Sequence, residues 1–190
     1  MRITNKNRMR DLSRIGVLVN LDPEFINNVK EQTMPSMIGK VKIKHRNEIE
    51  LQYLIQTWDL SDNEKLLKLT AKAYGLDPDF INNYPLIDFL RLTIDLQEVA
   101  EESAKLFISL KREPKDKEIA GVLEGFSTTG NLGIIDRFVT RSNGAYTHET
   151  AAKTAWIIVY NAFMNDTIEY DKQTAINEIM EERMKQNGNK

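Results

Sequence analysis

Leu21-Asp22-Pro23-Glu24-Phe25-Ile26-Asn27-Asn28 returns later in the chain as Leu76-Asp77-Pro78-Asp79-Phe80-Ile81-Asn82-Asn83, with only Glu24 exchanged for Asp79. Every position in the octapeptide suits the start of a helix. Asp22 and Asp77 are N-cap residues whose carboxylates can accept from the free amides of the first turn. Pro23 and Pro78 fall at the first helical position, where the missing N–H costs nothing. Glu24 and Asp79 place negative charge at the positive end of the helix dipole. Leu21 with Ile26, and Leu76 with Ile81, have the spacing of a hydrophobic staple. Two readings account for the repeat: convergence on a good helix start, or duplication of a helical unit. The flanks diverge at once, Val29-Lys30-Glu31 after the first copy and Tyr84-Pro85-Leu86 after the second. A single match is also short of the three repeats a solenoid needs.

Reading outward, helix follows helix. A short basic helix is expected over about 7–19. The first Asp-Pro helix, 23–32, must end before Met34-Pro35 because a residue preceding proline avoids the helical region. Ser61-Asp62-Asn63-Glu64 reads as a capping box, and the helix it opens stops at Gly75. After Pro85, the spacing of Leu92, Leu96, Val99, Ser103, Phe107 and Leu110 marks one buried stripe, ended by Lys111-Arg112-Glu113-Pro114. A helix carrying Ile119, Val122 and Leu123 comes next, then one over about 132–142 that ends at Asn143-Gly144. Thr147 caps the following helix, with Ala152, Ala155, Trp156, Val159, Tyr160 and Phe163 on its apolar face. A final helix displays Ile176, Ile179, Met180 and Met184. The predicted class is therefore all-α, or mainly α, a bundle-like array of helices. One short strand or hairpin near 40–53 is the exception: Val41, Ile43, Ile49, Leu51 and Tyr53 alternate, with Lys on one arm and Glu on the other. Leu51, Leu54, Ile55 and Trp58 equally fit one helix face, with Asn47 as cap. The period through Trp58 favours helix for 48–58.

The 190 residues suit one core or two. The expected division is a basic helical segment, 1–59, a helical core, 60–186, and a tail, 187–190. Apolar residues make up 41% and charged residues 28%, enough to bury a core. No apolar run approaches a membrane span, and no secretory signal is legible. There is no cysteine, which excludes disulfides and thiolate metal sites. Net charge is −2 but unevenly spread: residues 1–58 hold ten Lys/Arg against six Asp/Glu, a local +4. Arg8, Arg10, Arg14, Lys40, Lys42, Lys44 and Arg46 are the candidate contacts for a partner or for nucleic acid. Ordinary solvated charges or subunit contacts are the favoured account of them, since a local +4 is modest beside a dedicated nucleic-acid binder.

Catalytic chemistry is hard to place. His45 and His148 are far apart and lack the HExxH or ExxH spacing of helical metal sites. Neither a metal nor an organic cofactor is expected. His148 and Glu149 are adjacent, so on a helix their side chains diverge. The stretch 125–133 has P-loop-like glycines but no Lys-Ser/Thr to grip phosphate, and reads as an inter-helix loop with Asn131 capping the next helix. Glu101-Glu102 and Glu181-Glu182 sit on predicted helix surfaces beside Lys or Arg. Trp58, Trp156, Tyr160 and Phe163, at helical spacing among apolar neighbours, read as core rather than as a stacking platform.

Three blocks carry a family resemblance: Gly130-Asn131-Leu132-Gly133-Ile134-Ile135-Asp136-Arg137-Phe138, Tyr146-Thr147-His148-Glu149, and Trp156-Ile157-Ile158-Val159-Tyr160. Together, over roughly residues 115–185, they resemble the C-terminal half of small helical tail-assembly chaperones and related structural proteins of tailed phages. Residues 1–59 and the repeated Asp-Pro segment lie outside that pattern. The resemblance implies no catalytic residue, since its motifs are caps and core positions. It implies a noncatalytic virion structural or assembly protein, acting in the neck or tail as a ring, connector or adaptor subunit, or as an assembly chaperone. Its expected partners are other virion or assembly proteins and copies of itself, in the virion or the host cytoplasm. The alternative is a helical nucleic-acid-binding or regulatory module that uses the basic N-terminal segment.

Overall fold

The computed structural model describes residues 8–11, 23–58, 60–110 and 133–188. The chain is mainly α-helical with one short antiparallel hairpin. The α-helices are α1 (Pro23–Lys30), α2 (Leu51–Trp58), α3 (Asn63–Ala73), α4 (Leu86–Ser109), α5 (Gly133–Arg141), α6 (His148–Ala152) and α7 (Trp156–Gly188). The hairpin pairs β1 (Met37–Ile38) with β2 (Val41–Lys42), in the register Met37 to Lys42 and Ile38 to Val41. Short 3-10 turns occupy Met9–Asp11, Arg46–Glu48 and Pro78–Asn83.

The two copies of the repeat take different forms. The first opens α1 at Pro23, as its sequence predicts; its cap residues, Leu21 and Asp22, lie outside the described residues. In the second, Asp77 is an N-cap and accepts from the Asp79 amide at 2.9 Å, with Pro78 at the first helical position. The turn it opens is a 3-10 helix of six residues, not an α-helix. Pro85 is the cause. It holds Tyr84 in extended backbone, at φ −72° and ψ 150°, so the turn cannot grow. The Tyr84 hydroxyl then closes the segment, accepting from the Asp77 amide and donating to the Asp77 carbonyl, both at 3.0 Å.

Helix α3 shows both ends of its local code. Its N-cap is Asp62, one residue later than the Ser61 reading, and it accepts from the Glu64 and Lys65 amides. At the other end Gly75, with φ +78°, turns the chain into the left-handed region. The Gly75 amide donates to the Lys72 carbonyl and the Leu76 amide reaches back to Ala71, a Schellman ending that buries Leu76.

Helix α4 is the central element. Leu86, Phe89, Leu92, Leu96 and Val99 are fully buried along one face, and Phe107 continues the stripe. Buried hydroxyls on these helices return to their own backbone: Thr70 to Leu66, Thr93 to Phe89, Ser103 to Ala100 and Thr167 to Phe163. Each is thereby satisfied without a second helix. One contiguous core runs from Met9 to Phe163.

The stretch 48–58 resolves as helix from Leu51. The hairpin lies upstream, where β2 pairs with β1 rather than with residues 49–53. His45, not Asn47, caps the turn leading into it: its Nδ1 accepts from the Asn47 amide, and its own amide donates to Glu48 Oε2. The helix expected to run unbroken from Thr147 through Phe163 is interrupted after Ala152. The cause is tertiary. The Leu51 amide donates to the Thr154 carbonyl at 2.9 Å, and the Trp156 amide to the Ile49 carbonyl at 3.0 Å. Those bonds hold residues 154–156 extended against 49–51. From Trp156 the chain then runs without a break to Gly188, joining two helices that periodicity separates. The expected helices over 7–19 and around 119–123, and the Asn131 cap, fall wholly or largely outside the described residues.

Candidate interaction surface

Three surfaces stand out: the far end of α7, a groove along α4, and the hairpin.

The first half of α7 packs into the core through Trp156, Val159 and Phe163. Phe163 meets Phe107 of α4 and Phe138 of α5 edge to face, at 6.2 and 6.3 Å between ring centroids. The Arg137 guanidinium lies 4.9 Å above the Phe163 ring. Both indole N–H groups are satisfied by backbone, Trp58 to Ala100 at 2.8 Å and Trp156 to Arg46 at 3.0 Å. These aromatics are core, as their spacing predicts. Thr167 is the last buried residue of the helix among those described.

Beyond it residues 168–188 form an arm. Ile176, Ile179, Met180 and Met184 are 44%, 51%, 57% and 67% exposed. Positions 168, 172, 175, 176, 179, 180, 183 and 184 share the spacing of one amphipathic helix face. Six are apolar and the other two are Lys172 and Arg183; Glu169, three residues before Lys172, lies on the same face. Lys172 pairs with Glu169 at 3.7 Å, while Arg183 has no ion pair among the described residues. Sequence spacing marks this stripe but cannot show that it is bare, because a core stripe reads the same way.

The groove lies between α1, α3 and α4. Phe25, Ile26 and Val29 form one wall, Leu66 another, and Leu90 and Ile94 the floor of a hollow of about 350 Å³. A second hollow of about 240 Å³ continues it past Trp58 and Leu60 to Ala104, sharing Leu66, Gln97 and Glu101 with the first. From Leu90 to Ala104 the floor runs along α4 for ~21 Å at the helical rise. Of the charged residues lining it, Lys30 and Glu98 pair with each other at 3.5 Å, and Arg91 reaches Glu98 at 3.7 Å. Glu101 has no ion pair among the described residues. No sequence signal singles out the groove, because its walls come from three separate helices.

The basic candidates do not form one patch. Arg8 and Arg10 are exposed on the turn beside Pro85. Arg14 lies outside the described residues. Lys44 is tied to Glu50 at 3.2 Å and Arg46 to Glu102 at 2.9 Å. Lys40 and Lys42 stand exposed on the hairpin with Met37, which is 54% exposed.

Among the described residues no group of three or more His, Asp or Glu side chains is placed to hold a metal ion, and no helix is long and apolar enough to cross a membrane. His148 Nε2 lies 2.8 Å from Asp136 Oδ1 across α6 and α5, an exposed pair that links the two short helices. Beneath the surface, Tyr74 donates to Asp95 Oδ2 at 2.6 Å, with both residues buried. Burial, then the carboxylate beside it, pushes the Tyr74 hydroxyl far above its ordinary pKa. The pair binds α3 to α4 and lines neither hollow of the groove. Comparison with known proteins gives no match, whether to a family model, a curated protein or a solved structure.

Proposed function

We propose that the chain is a noncatalytic structural or assembly protein that works through protein–protein contacts. Its place would be the neck or tail of a tailed-phage particle, as a ring, connector or adaptor subunit or as an assembly chaperone. The observation that carries the reading is the arm of α7. In proteins most helical stability comes from packing an apolar face rather than from propensity. Residues 168–184 present such a face, exposed among the described residues. Exposed apolar stripes of this kind mark contact sites. The resemblance of residues 115–185 to phage assembly proteins supplies the setting.

The nucleic-acid alternative has less support. Lys44 and Arg46 already have carboxylate partners, which leaves fewer of the candidate cations to release counterions from a phosphate backbone.

Quantitative mass spectrometry of purified particles and of assembly intermediates tests the proposal. A structural subunit is expected in mature particles at a fixed copy number. A chaperone is expected in intermediates and absent from mature particles. Absence from both would reject the reading.

A further inference from the structure

We infer that the arm of one copy docks in the α4 groove of another, with Arg183 placed against Glu101. The inference rests on the contact role of the arm proposed above and names the occupant. Three observations support it.

The first is length. The stripe from Ile168 to Met184 spans ~24 Å at the helical rise, and the groove floor from Leu90 to Ala104 spans ~21 Å. An amphipathic helix lying in an apolar groove is a standard recognition mode, with anchors at i, i+3, i+4 and i+7. Ile176, Ile179 and Met180 supply the first three, and Arg183 takes the i+7 position. Phe25 and Leu66 supply apolar walls and Ile94 an apolar floor, and Ala104 leaves room for a helix backbone at the far end.

The second is charge. Among the described residues, Arg183 is the unpaired cation on the stripe and Glu101 the unpaired carboxylate in the groove. Each would be left without a counter-ion on burial unless it met the other. Pairing of two arms with one another does not solve this. A parallel pair sets Arg183 against Arg183 and Lys172 against Lys172. An antiparallel pair that overlays residue 168 on residue 184 sets Lys172 against Met180 and Arg183 against Glu169. The parallel pair offers no carboxylate, and in the antiparallel pair Arg183 would have to take Glu169 from Lys172, whereas Glu101 has no ion pair to give up among the described residues.

The third is connectivity. α7 is one continuous helix from Trp156 to Gly188. An arm that continues this helix without a break cannot fold back into the groove of its own chain. Each copy therefore offers one arm and one groove, unlike surfaces that join copies head to tail or reciprocally.

Charge reversal tests the contact, read by light scattering on a sizing column and by sedimentation over a range of concentrations. The wild-type chain is expected to associate. Arg183→Glu and Glu101→Arg should each weaken association at least tenfold, with far-UV circular dichroism of the core and thermal midpoint unchanged. The double variant should recover most of the loss, because it restores the pair with its charges exchanged. A wild-type chain that stays monomeric throughout would overturn the inference. So would loss of association in Arg183→Glu with no effect of Glu101→Arg and no recovery in the double variant. The two proposals fail separately. A monomeric chain that still appears in particles or intermediates removes self-docking alone. A chain absent from both, whose charge exchange restores association, removes the assembly setting alone.

Discussion

At the scale of single residues, caps and buried polar pairs do most of the specifying. Asp62 accepts from two amides at the start of α3. The Lys65 amide foremost, and that of Glu64, hold its carboxyl below the ordinary value. A carboxyl depressed in the folded chain contributes stability above its unfolded pKa, and that contribution is lost as pH falls through the folded value. Asp62→Ala should therefore lower the thermal midpoint by about 2–4 °C at neutral pH, and the gap from wild type should close in acid, as calorimetry across pH would show. Tyr74 and Asp95 form the buried counterpart. Tyr74→Phe leaves Asp95 without its hydroxyl donor and should cost about 1–3 kcal/mol in urea unfolding, with an unchanged m-value. Two caps were legible because each is a local pattern: Asp77 and Thr147 accept from first-turn amides where the sequence places them, while the expected caps Ser61 and Asn47 give way to Asp62 and His45 nearby. The Tyr74–Asp95 pair was not legible, since 21 residues separate its members and nothing near either names the other.

At the scale of elements, local code sets where helices begin and end, and tertiary contacts overrule it at definite points. α3 ends where Gly75 predicts. An alanine there would meet Lys44 carbons at 3.8 and 3.9 Å, ordinary contact, so the cost of Gly75→Ala is in the backbone at φ +78°. It should destabilise by about 1–2 kcal/mol in denaturant titration. The near-identical Asp-Pro starts diverge because their downstream neighbours differ: one continues as an α-helix, and the other is a 3-10 turn stopped by Pro85. The break after Ala152 was invisible to periodicity. Ala152, Ala155 and Trp156 keep helical spacing, and the pairing of 154–156 with 49–51 that opens the helix joins residues more than a hundred positions apart. The hairpin was anticipated as a short β element near 40–53, and its partner strand lies at Met37–Ile38 instead. Its turn works because Gly39 takes φ +63°.

At the scale of the whole molecule, the mainly helical class was readable from spacing alone, while the interaction surfaces were not. Which stripes face the core is a property of the assembled helices, so the arm and the groove emerge only once α7 and α4 are placed. Past Thr167 the arm adds no buried residue to the described core. Ending the chain after Tyr170 should leave the calorimetric midpoint within about 2 °C of wild type. The backbone bonds between residues 49–51 and 154–156 have a further consequence, one of timing. A ribosome delivers the N-terminal residues first. Ile49 and Leu51 are wholly buried in the finished chain, yet the Ile49 carbonyl and the Leu51 amide wait for partners made more than a hundred residues later. The indole of Trp156 likewise closes on the Arg46 carbonyl. So distant a closure ranks among the slow steps of folding. A nascent chain stopped at residue 150 should remain protease-sensitive in pulse-labelling experiments, and resistance should arise only after Phe163 has been added.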